Sequence, residues 1–557
     1  MKNKIVELLK KAGLNNEDLD NYIQTPKDST HGDYSFASFA IAKECGLNPV
    51  EMARTIASKI KIEKDFEKIE AVGPYVNFFV DTRIVAKDVL KNVEKDGRKY
   101  GSNNLGNARK FMIEFSQPNT HKAFHIGHIR GTTLGESIAR LREFCGYRVI
   151  RTNYSGDTGM HIAKWLWCYN KFHKGEKIMD EESWFAKIYV EAVQKLEGNE
   201  TGETEVLVMN KKIDERKDKN LIKLWMSTRK KSIDSWKPIY AELDVKFNKH
   251  FFESQVEKAG KKIAQELVKN GIARIDDGAT IVDLKNEDLG IWVLLRRDGT
   301  VLYSAKDLAL AKEKFSKYKA HDSLVITSVE QNLHFQQLQK TLEMMKFKNW
   351  QNYLHLGYES VRLPEGKMSS RTGKNILYAD FRNELVDVAR FEIEKRVKLS
   401  EKEIKKRAKV IAIAAMKYAM LKQDTNKVII FNKDEAIRFE GDTGPYLIYS
   451  YARARSVLRK AREAIKEKEF VISYSEKHLL NEIARFPEIV KSANEQFNVA
   501  GIVHYTYTLA QTFNEFYHSC QVIGSECEGF RLRLVKAFCQ VMQNALYLLG
   551  IQTLEEM

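Results

Sequence analysis

The sequence is poor in the features that mark several large protein classes. Its six cysteines, at positions 45, 145, 168, 520, 527 and 539, are scattered and form no CxxC pair. That pattern fits reduced thiols in a cytosol and argues against both a disulfide framework and a structural zinc. No apolar run approaches the ~18 residues that a membrane span needs. The N-terminus, "MKNKIVELLKKAGLNNEDLD", is a short amphipathic helix with acidic residues close behind, unlike a signal or transit peptide. A cytoplasmic protein without membrane attachment is therefore expected. The GxGxxG and Walker A patterns are absent, so dinucleotide and P-loop chemistry lack their signatures, and no HExxH occurs. There is no internal repeat and no long low-complexity segment.

What is present is length and positive charge. A chain of 557 residues is too long for one ordinary core and implies three or four domains. Hydrophobic residues make up 43% of it and the mean hydropathy is −0.44, values of a soluble globular protein. The formal charge of +16 and pI near 9.2 suit a polyanionic partner, although ordinary solubility charge accounts for such a balance too.

Four regions emerge along the chain. Residues 1–105 mix helices with short strands. In "NPVEMARTIASKI", Asn48 is placed to cap a helix with Pro49 in its first turn. "KIEAVGPYVNFFV" reads as two short strands around Gly73-Pro74, and a polar linker follows. Residues 106–400 open with a β-α-β unit: "FMIEF" is a strand, and "YRVIRTNY" is the next. The helix between them sets Ile129, Leu134, Ile138, Leu141 and Phe144 largely on one face. A charged, Trp-containing and mostly helical stretch at about 165–290 reads as an insertion. Strands resume with "GIWVLL", "SLVIT" and "NYLHLGY". Residues 401–557 read as almost all helix.

The segment "SQPNTHKAFHIGHIRG" (116–131) carries three histidines and Lys122 where the first strand feeds the helix. His125 and His128 flank Gly127 at the helix start, where free amides and the helix dipole favour an anion. A metal fits less well, since the nearest carboxylate after His128 is Glu136. Alone, the pattern leaves a phosphate site and chance about equal. A second element, "LPEGKMSSRTGK" (363–374), is a glycine-bounded basic run late in the same sheet. Such a loop could close over phosphates; by itself it would read as a solvated turn. "YLIYSYARARSVLRKAREAIKEK" interleaves Arg453, Arg455, Arg459, Lys460 and Arg462 with Tyr446, Tyr449 and Tyr451. Basic side chains and aromatics together suit an unpaired RNA loop, and the bland alternative is a solvated helix with its tyrosines in the core. Tyr303 and Asp307, four residues apart, would share one helix face. A carboxylate beside a phenol suits a planar guanidinium, though Asp307 alone reads more readily as an exposed helix residue.

HIGH early and KMSxx late, separated by an α/β sheet with an insertion, resemble the class I aminoacyl-tRNA synthetases. The match is most similar to the arginyl-tRNA synthetase family, and it runs along nearly the whole chain. It is carried by "IEFSQPNTHKAFHIGHIRG", "NYSGDTG", "DGTVLYSAKDLALA", "EQNLHFQQL" and "GDTGPYLIYSYAR". "HGDYSFASFAIAK" and "GPYVNFF" are similar to that family's additional tRNA-contacting domain, and "LAQTFNEFYHSC" and "LYLLGI" to its helical anticodon-binding domain.

The resemblance implies a Rossmann-type parallel-sheet catalytic domain with a helical insertion, an α+β N-terminal domain and an all-α C-terminal domain. It implies arginine activation by ATP, with Mg²⁺ accompanying the nucleotide but no protein metal cage, and transfer to tRNA. No DNA partner is implied, and a monomer is expected. Catalysis would fall to Lys122, His125, Gly127, His128 and Lys367, with Met368, Ser369 and Ser370 completing the ATP site. Arginine would meet Glu114 and Asn119 at its ammonium group, and Tyr303, Asp307 and Gln331 at its guanidinium. Tyr446, Tyr449, Arg453 and Arg455 would contact tRNA. The chain departs from the family in three ways. Ser370 stands where the second lysine of KMSKS is usual, with Lys122 as the substitute charge. Ala123 stands where Pro is frequent, and the tail reads "LEEM" rather than "PERM". Two rivals remain: another class I synthetase, and a noncatalytic tRNA-binding relative.

Overall fold

The apolar alternation around Gly73 folds as expected, into an antiparallel pair of strands, Phe66–Val72 and Tyr75–Val80. A computed structural model describes the chain apart from residues 17, 25, 27, 29, 30, 365–376 and 462–470 and the Val85 side chain. It divides into two units. One comprises Met1–Gly97, Arg462–Ala484 and Glu515–Ala537; the other comprises Arg98–Ala461, Arg485–Asn514 and Phe538–Met557.

In the first unit the two strands belong to a four-stranded antiparallel sheet completed by Tyr34–Ala37 and Ile23–Gln24. Phe36, Val76 and Phe78 meet Ile5, Leu9, Ala53 and Ile56 of the helices Lys2–Lys11 and Pro49–Lys59 in one core. Asn48 caps the second helix, its side-chain oxygen accepting from the N–H groups of Val50 at 2.8 Å and Glu51 at 3.4 Å.

The second unit is built on a five-stranded parallel sheet. Lys110–Glu114 lies at its centre, with Arg148–Ser155 and then Lys249–Phe252 on one side. Asp322–Ser328 and then Tyr353–Tyr358 lie on the other. The strand order therefore reverses beside the first strand. In sheets of this kind ligands bind at that switch point, outside the carboxyl ends of the strands.

Two expectations about the middle of the chain need correction. The edge strand Lys249–Phe252 falls inside the stretch read as an insertion at about 165–290. It is a four-residue sheet edge with only Phe251 buried, too short and polar for alternation to register. Four helices precede it: Met160–Phe172, Glu182–Leu196, Glu200–Glu215 and Lys219–Glu242. Trp165, Phe185 and Trp225 anchor a core among them. "GIWVLL" forms Gly290–Leu295, which pairs antiparallel with Ala279–Leu284 in a separate three-stranded sheet. An apolar run states that a strand is buried but not which sheet receives it.

After residue 400 the chain is mainly helical, through Glu401–Leu421, Gly444–Lys460, Tyr474–Gln496, Val499–Ser519 and Glu528–Leu548. A short strand, Ile429–Ile430, pairs parallel with Val361–Arg362. Among the described residues no helix is long and apolar enough to cross a membrane.

The helix Ile126–Phe144 is more deeply enclosed than its one apolar stripe indicates, because its polar face is buried as well. Most of the charges on that face have polar or charged partners, as burial favours, while Arg142 lies against the rings of Phe111, Tyr147 and Phe497. Glu136 binds Arg140 and Arg151, both at 2.8 Å. Arg130 donates to the carbonyl oxygens of Glu359, Asp424 and Lys427. Gly135 lets this helix lie against the loop from the first strand: a Cβ there would sit 2.2 Å from Cγ of Phe115. Gly135→Ala is therefore expected to lose about 1–3 kcal/mol, as overpacking a filled core does, seen as a lower unfolding midpoint. An unchanged midpoint would mean that helix and loop separate freely.

Candidate active site

The connection from the first strand to its helix is held in an unusual backbone form. Ser116, Gln117 and His121, none a glycine, have φ of 77°, 50° and 63°. Such conformations persist where surrounding bonds overdetermine them, and they gather at functional sites. Here the Gln117 N–H donates to Asn153 Oδ1 at 3.1 Å, and the His121 N–H to Ser232 Oγ at 2.9 Å. Thr120 donates twice to the Gly156 carbonyl, from its N–H at 3.1 Å and its hydroxyl at 3.2 Å. From the insertion, Glu182 accepts the Phe124 N–H at 2.7 Å. Burial raises this carboxyl to about 7.

His125 and His128 cap the helix reciprocally. Nδ1 of His125 accepts the Gly127 N–H, and Nδ1 of His128 accepts the His125 N–H, both at 3.2 Å. The ring centroids are 3.9 Å apart. With both Nδ1 atoms acting as acceptors, the ring proton of each neutral imidazole must sit on Nε2. Burial, and secondarily Lys122, holds His125 down at about 4, and burial with His125 and Lys122 holds His128 well below the usual range. The helix start thus presents neutral, directed Nε2–H donors. A Cβ on Gly127 would lie 3.0 Å from the His125 ring. Lys122 is half-buried over the Tyr189 ring, 5.2 Å from its centroid, and burial lowers its pKa.

A second group of residues collects at the carboxyl ends of the strands. Tyr303 and Asp307 open the helix Tyr303–Ser316 and lie one turn apart. Tyr303 is 58% exposed, whereas Asp307 accepts a 2.7 Å hydrogen bond from Nε2 of His334. Gln331 is exposed at the start of the helix Asn332–Met344 that carries His334. Asn119 is half-buried against Gly156, where a Cβ would stand 2.5 Å from its Oδ1 and 3.1 Å from Oε1 of Glu253. Glu114 is fully buried, with Lys314 at 2.7 Å from one oxygen and Gln117 Nε2 donating to the other at 2.8 Å. Glu253 is bound to Lys306 at 2.8 Å and Asp157 to Arg229 at 2.6 Å. The Tyr154 hydroxyl is buried without a hydrogen-bond partner. Burial raises its pKa well above 10, and the charges of Asp307, Glu253, Glu114 and Asp157 add to this. Three of these four carboxylates are matched by a lysine or arginine, which leaves the charge of Asp307 unmatched by a cation among the described residues.

Lys367, Met368, Ser369 and Ser370 lie outside the described residues, as does Arg462. The four residues expected to contact tRNA share the helix Gly444–Lys460 and have partners within the chain. Asn514 donates to the Tyr446 hydroxyl at 2.9 Å and accepts from Arg453 at 2.5 Å. Arg453 also donates to the Tyr449 hydroxyl at 3.2 Å, and Arg455 donates to Glu555 at 2.6 Å. Tyr451 is buried.

Sequence reasoning overlooked His334. It lies within "EQNLHFQQL", but nothing in local spacing joins it to Asp307, 27 residues earlier. Its ring lies 4.8 Å from that of Tyr303, centroid to centroid, and its Nδ1 accepts from Trp292 Nε1 at 3.3 Å.

With this geometry in view, the comparisons with known proteins agree with one another. The class I tRNA synthetase (R) catalytic domain model matches residues 89–433. The DALR anticodon binding domain matches 447–557, and the arginyl tRNA synthetase N terminal domain matches 1–80. The arginine–tRNA ligase of Bdellovibrio bacteriovorus is 34% identical, covering 97% of this chain and 95% of that protein. That of Clostridium perfringens is 33% identical, covering 97% of each. Among solved structures, Thermus thermophilus arginyl-tRNA synthetase superposes with a TM-score of 0.83 at 23% identity, covering 100% of this chain and 99% of that one. The Plasmodium falciparum arginyl-tRNA synthetase gives 0.81 at 21% identity over the same shares. At these identities the two structures bear on the fold alone.

The histidine arrangement has a direct spectroscopic consequence. Nitrogen-resolved NMR of labelled histidine is expected to find His125 and His128 as neutral Nε2–H tautomers at pH 7 and still neutral at pH 5. Because the folded pKa lies below the unfolded ~6.5, the unfolded chain binds more protons between those values. These groups therefore contribute stability that is present above pH 6.5 and lost as pH falls toward 4. An imidazolium signal for His125 at pH 6 would rule out the reciprocal cap.

Proposed function

The chain belongs to the arginyl-tRNA synthetase family of class I aminoacyl-tRNA synthetases, and we propose from it an arginine–tRNA ligase. The enzyme activates L-arginine with ATP to arginyl-adenylate and transfers the arginyl group to the 3′-terminal adenosine of tRNA(Arg). The observation that carries the arginine assignment is Asp307, held at the carboxyl side of the sheet one turn from the exposed ring of Tyr303.

In the first step an oxygen of the arginine carboxylate attacks the α-phosphorus, and the bond to the bridging oxygen of pyrophosphate breaks. In the second, the 2′-hydroxyl of the terminal ribose attacks the activated carbonyl and AMP leaves. Neither step asks for covalent chemistry from a side chain, so positioning and charge stabilisation do the catalysis. The Nε2–H groups of His125 and His128 donate to phosphate oxygens, Gly127 admits the nucleotide, and Lys122 adds charge. Lys367, Met368, Ser369 and Ser370 of the late basic sequence "LPEGKMSSRTGK" complete the ATP site. Asp307, Tyr303 and Gln331 receive the guanidinium. Asn119 and Glu114 stand near the ammonium group. Mg²⁺ bound to ATP would offset charge on the phosphates. Glu114, Asp157 and Glu253 are each already bound to a lysine or arginine, which supports a nucleotide-borne ion with no protein cage. Tyr446, Tyr449, Arg453 and Arg455 form the tRNA-facing set, where Arg455 exchanges Glu555 for phosphate. The enzyme acts as a cytoplasmic monomer.

Charging of tRNA with arginine, compared with citrulline, tests both the activity and the pocket. Citrulline has nearly the same shape but turns an oxygen toward Asp307, and a site that bonds a polar group can reject such an analogue by ~10⁴–10⁵-fold. Asp307→Asn is expected to cost arginine far more than citrulline and so compress the ratio of their kcat/KM values. A folded Asp307→Asn enzyme with the wild-type ratio removes Asp307 from the guanidinium site. A wild-type enzyme that charges no arginine defeats the activity itself.

A further inference from the structure

We propose that His334 is a positioning residue for amino-acid selection, holding Asp307 as the guanidinium partner through a Trp292–His334–Asp307 chain of hydrogen bonds. The inference rests on the arginine reading given above.

Three observations carry it. First, the chain of bonds has one direction. The indole Nε1 of Trp292 has only a proton to give, and it donates to Nδ1 of His334 at 3.3 Å. That leaves the imidazole proton on Nε2, which donates to Asp307 Oδ2 at 2.7 Å. Second, the ring has no room to turn. His334 is 7% exposed and lies between Trp292, Tyr303 and Phe335, with ring centroids at 5.6, 4.8 and 5.0 Å. Third, the three elements involved converge only in the folded chain. Trp292 comes from the strand Gly290–Leu295, Asp307 from the helix Tyr303–Ser316, and His334 from the helix Asn332–Met344.

The consequence is chemical as well as steric. A neutral donor fixes one oxygen of Asp307 without cancelling its charge, as a lysine or arginine would. The other carboxylates here are neutralised in that way: Glu114 by Lys314, Glu253 by Lys306 and Asp157 by Arg229. Among the described residues Asp307 has no such cation, and His334 is its hydrogen-bond partner. Its charge stays available to a guanidinium, while its rotamer is set before the substrate arrives. Orientation without neutralisation is what separates Asp307 from its acidic neighbours.

Three variants test this in aminoacylation assays with tRNA present. His334→Phe preserves the aromatic packing and deletes the donor. His334→Gln keeps an N–H that can reach Asp307. Trp292→Phe removes the donor that fixes the tautomer and leaves His334 in place, so it serves if a change at position 334 impairs folding. His334→Phe is expected to raise the KM for arginine about tenfold to a hundredfold, the scale of one hydrogen bond to a charged group, and to leave the KM for ATP unchanged. The arginine-to-citrulline ratio should narrow, His334→Gln should recover most of the loss, and Trp292→Phe should raise the arginine KM less. Wild-type arginine KM in both His334→Phe and Trp292→Phe overturns the proposal. So does a parallel rise in the KM for ATP, or a glutamine no better than phenylalanine. If wild type charges arginine and Asp307→Asn compresses the ratio while His334→Phe does not, the pocket stands and only the role of His334 falls.

Discussion

The site depends on how the N-terminus of one helix is capped. Helix N-termini are commonly capped by a Ser, Thr, Asp or Asn oxygen that accepts one of the first amides. In Ile126–Phe144 the caps are imidazoles, and each accepts a backbone N–H on one nitrogen and offers an N–H on the other. The helix terminus is thus extended outward by two rings, with its donor character kept. Such a cap works only if both rings are neutral. Burial and the nearby ammonium of Lys122 ensure that, since each opposes a second proton.

A cap of this kind requires a helix that does not move. The burial of its polar face supplies the restraint, with Glu136 shared by Arg140 and Arg151, and Arg130 spread over three carbonyl groups. Buried pairs contribute little net stability after desolvation, but each accepts few alternative partners. The strained backbone from Ser116 to His121 is fixed by the same means, with hydrogen bonds reaching from the second strand and the insertion. Rigidity here comes from polar geometry more than from apolar packing.

That division explains how much could be read from sequence. The strand at "FMIEF", the helix after it and the Asn48 cap are local patterns, and each appeared where its residues indicated. The placement of His125, Gly127 and His128 together at a helix start was legible because they are adjacent, and that of Tyr303 and Asp307 on one helix because a helix repeats every three to four residues. His334 was not legible, since its partners lie 27 and 42 residues away and only the fold unites them. The edge strand Lys249–Phe252 was missed for a related reason: its pairing, rather than its composition, makes it a strand. The engagement of Arg455 by Glu555 also spans 100 residues, and no charge pattern near either residue announces it.

Charge sign is the other organising quantity, and it reverses with scale. The whole chain carries +16, suited to a polyanion, while the charges that bear on the buried Tyr154 hydroxyl are those of Glu114, Asp157, Glu253 and Asp307. The reversal is local because three of those carboxylates are matched by cations at 2.6–2.8 Å, which leaves Asp307 as the residual charge. At ordinary ionic strength the Debye length is about 8–10 Å, so the outer positive charge is screened from a ligand that has entered the pocket. Attraction of a large anion and selection of a small cation can then operate in one molecule without opposing each other. The separation depends on Asp307 being oriented by a neutral group. A cation in place of His334 would hold the same rotamer and cancel the charge, and in the guanidinium site proposed for Asp307 geometry alone would not distinguish arginine from its uncharged analogue.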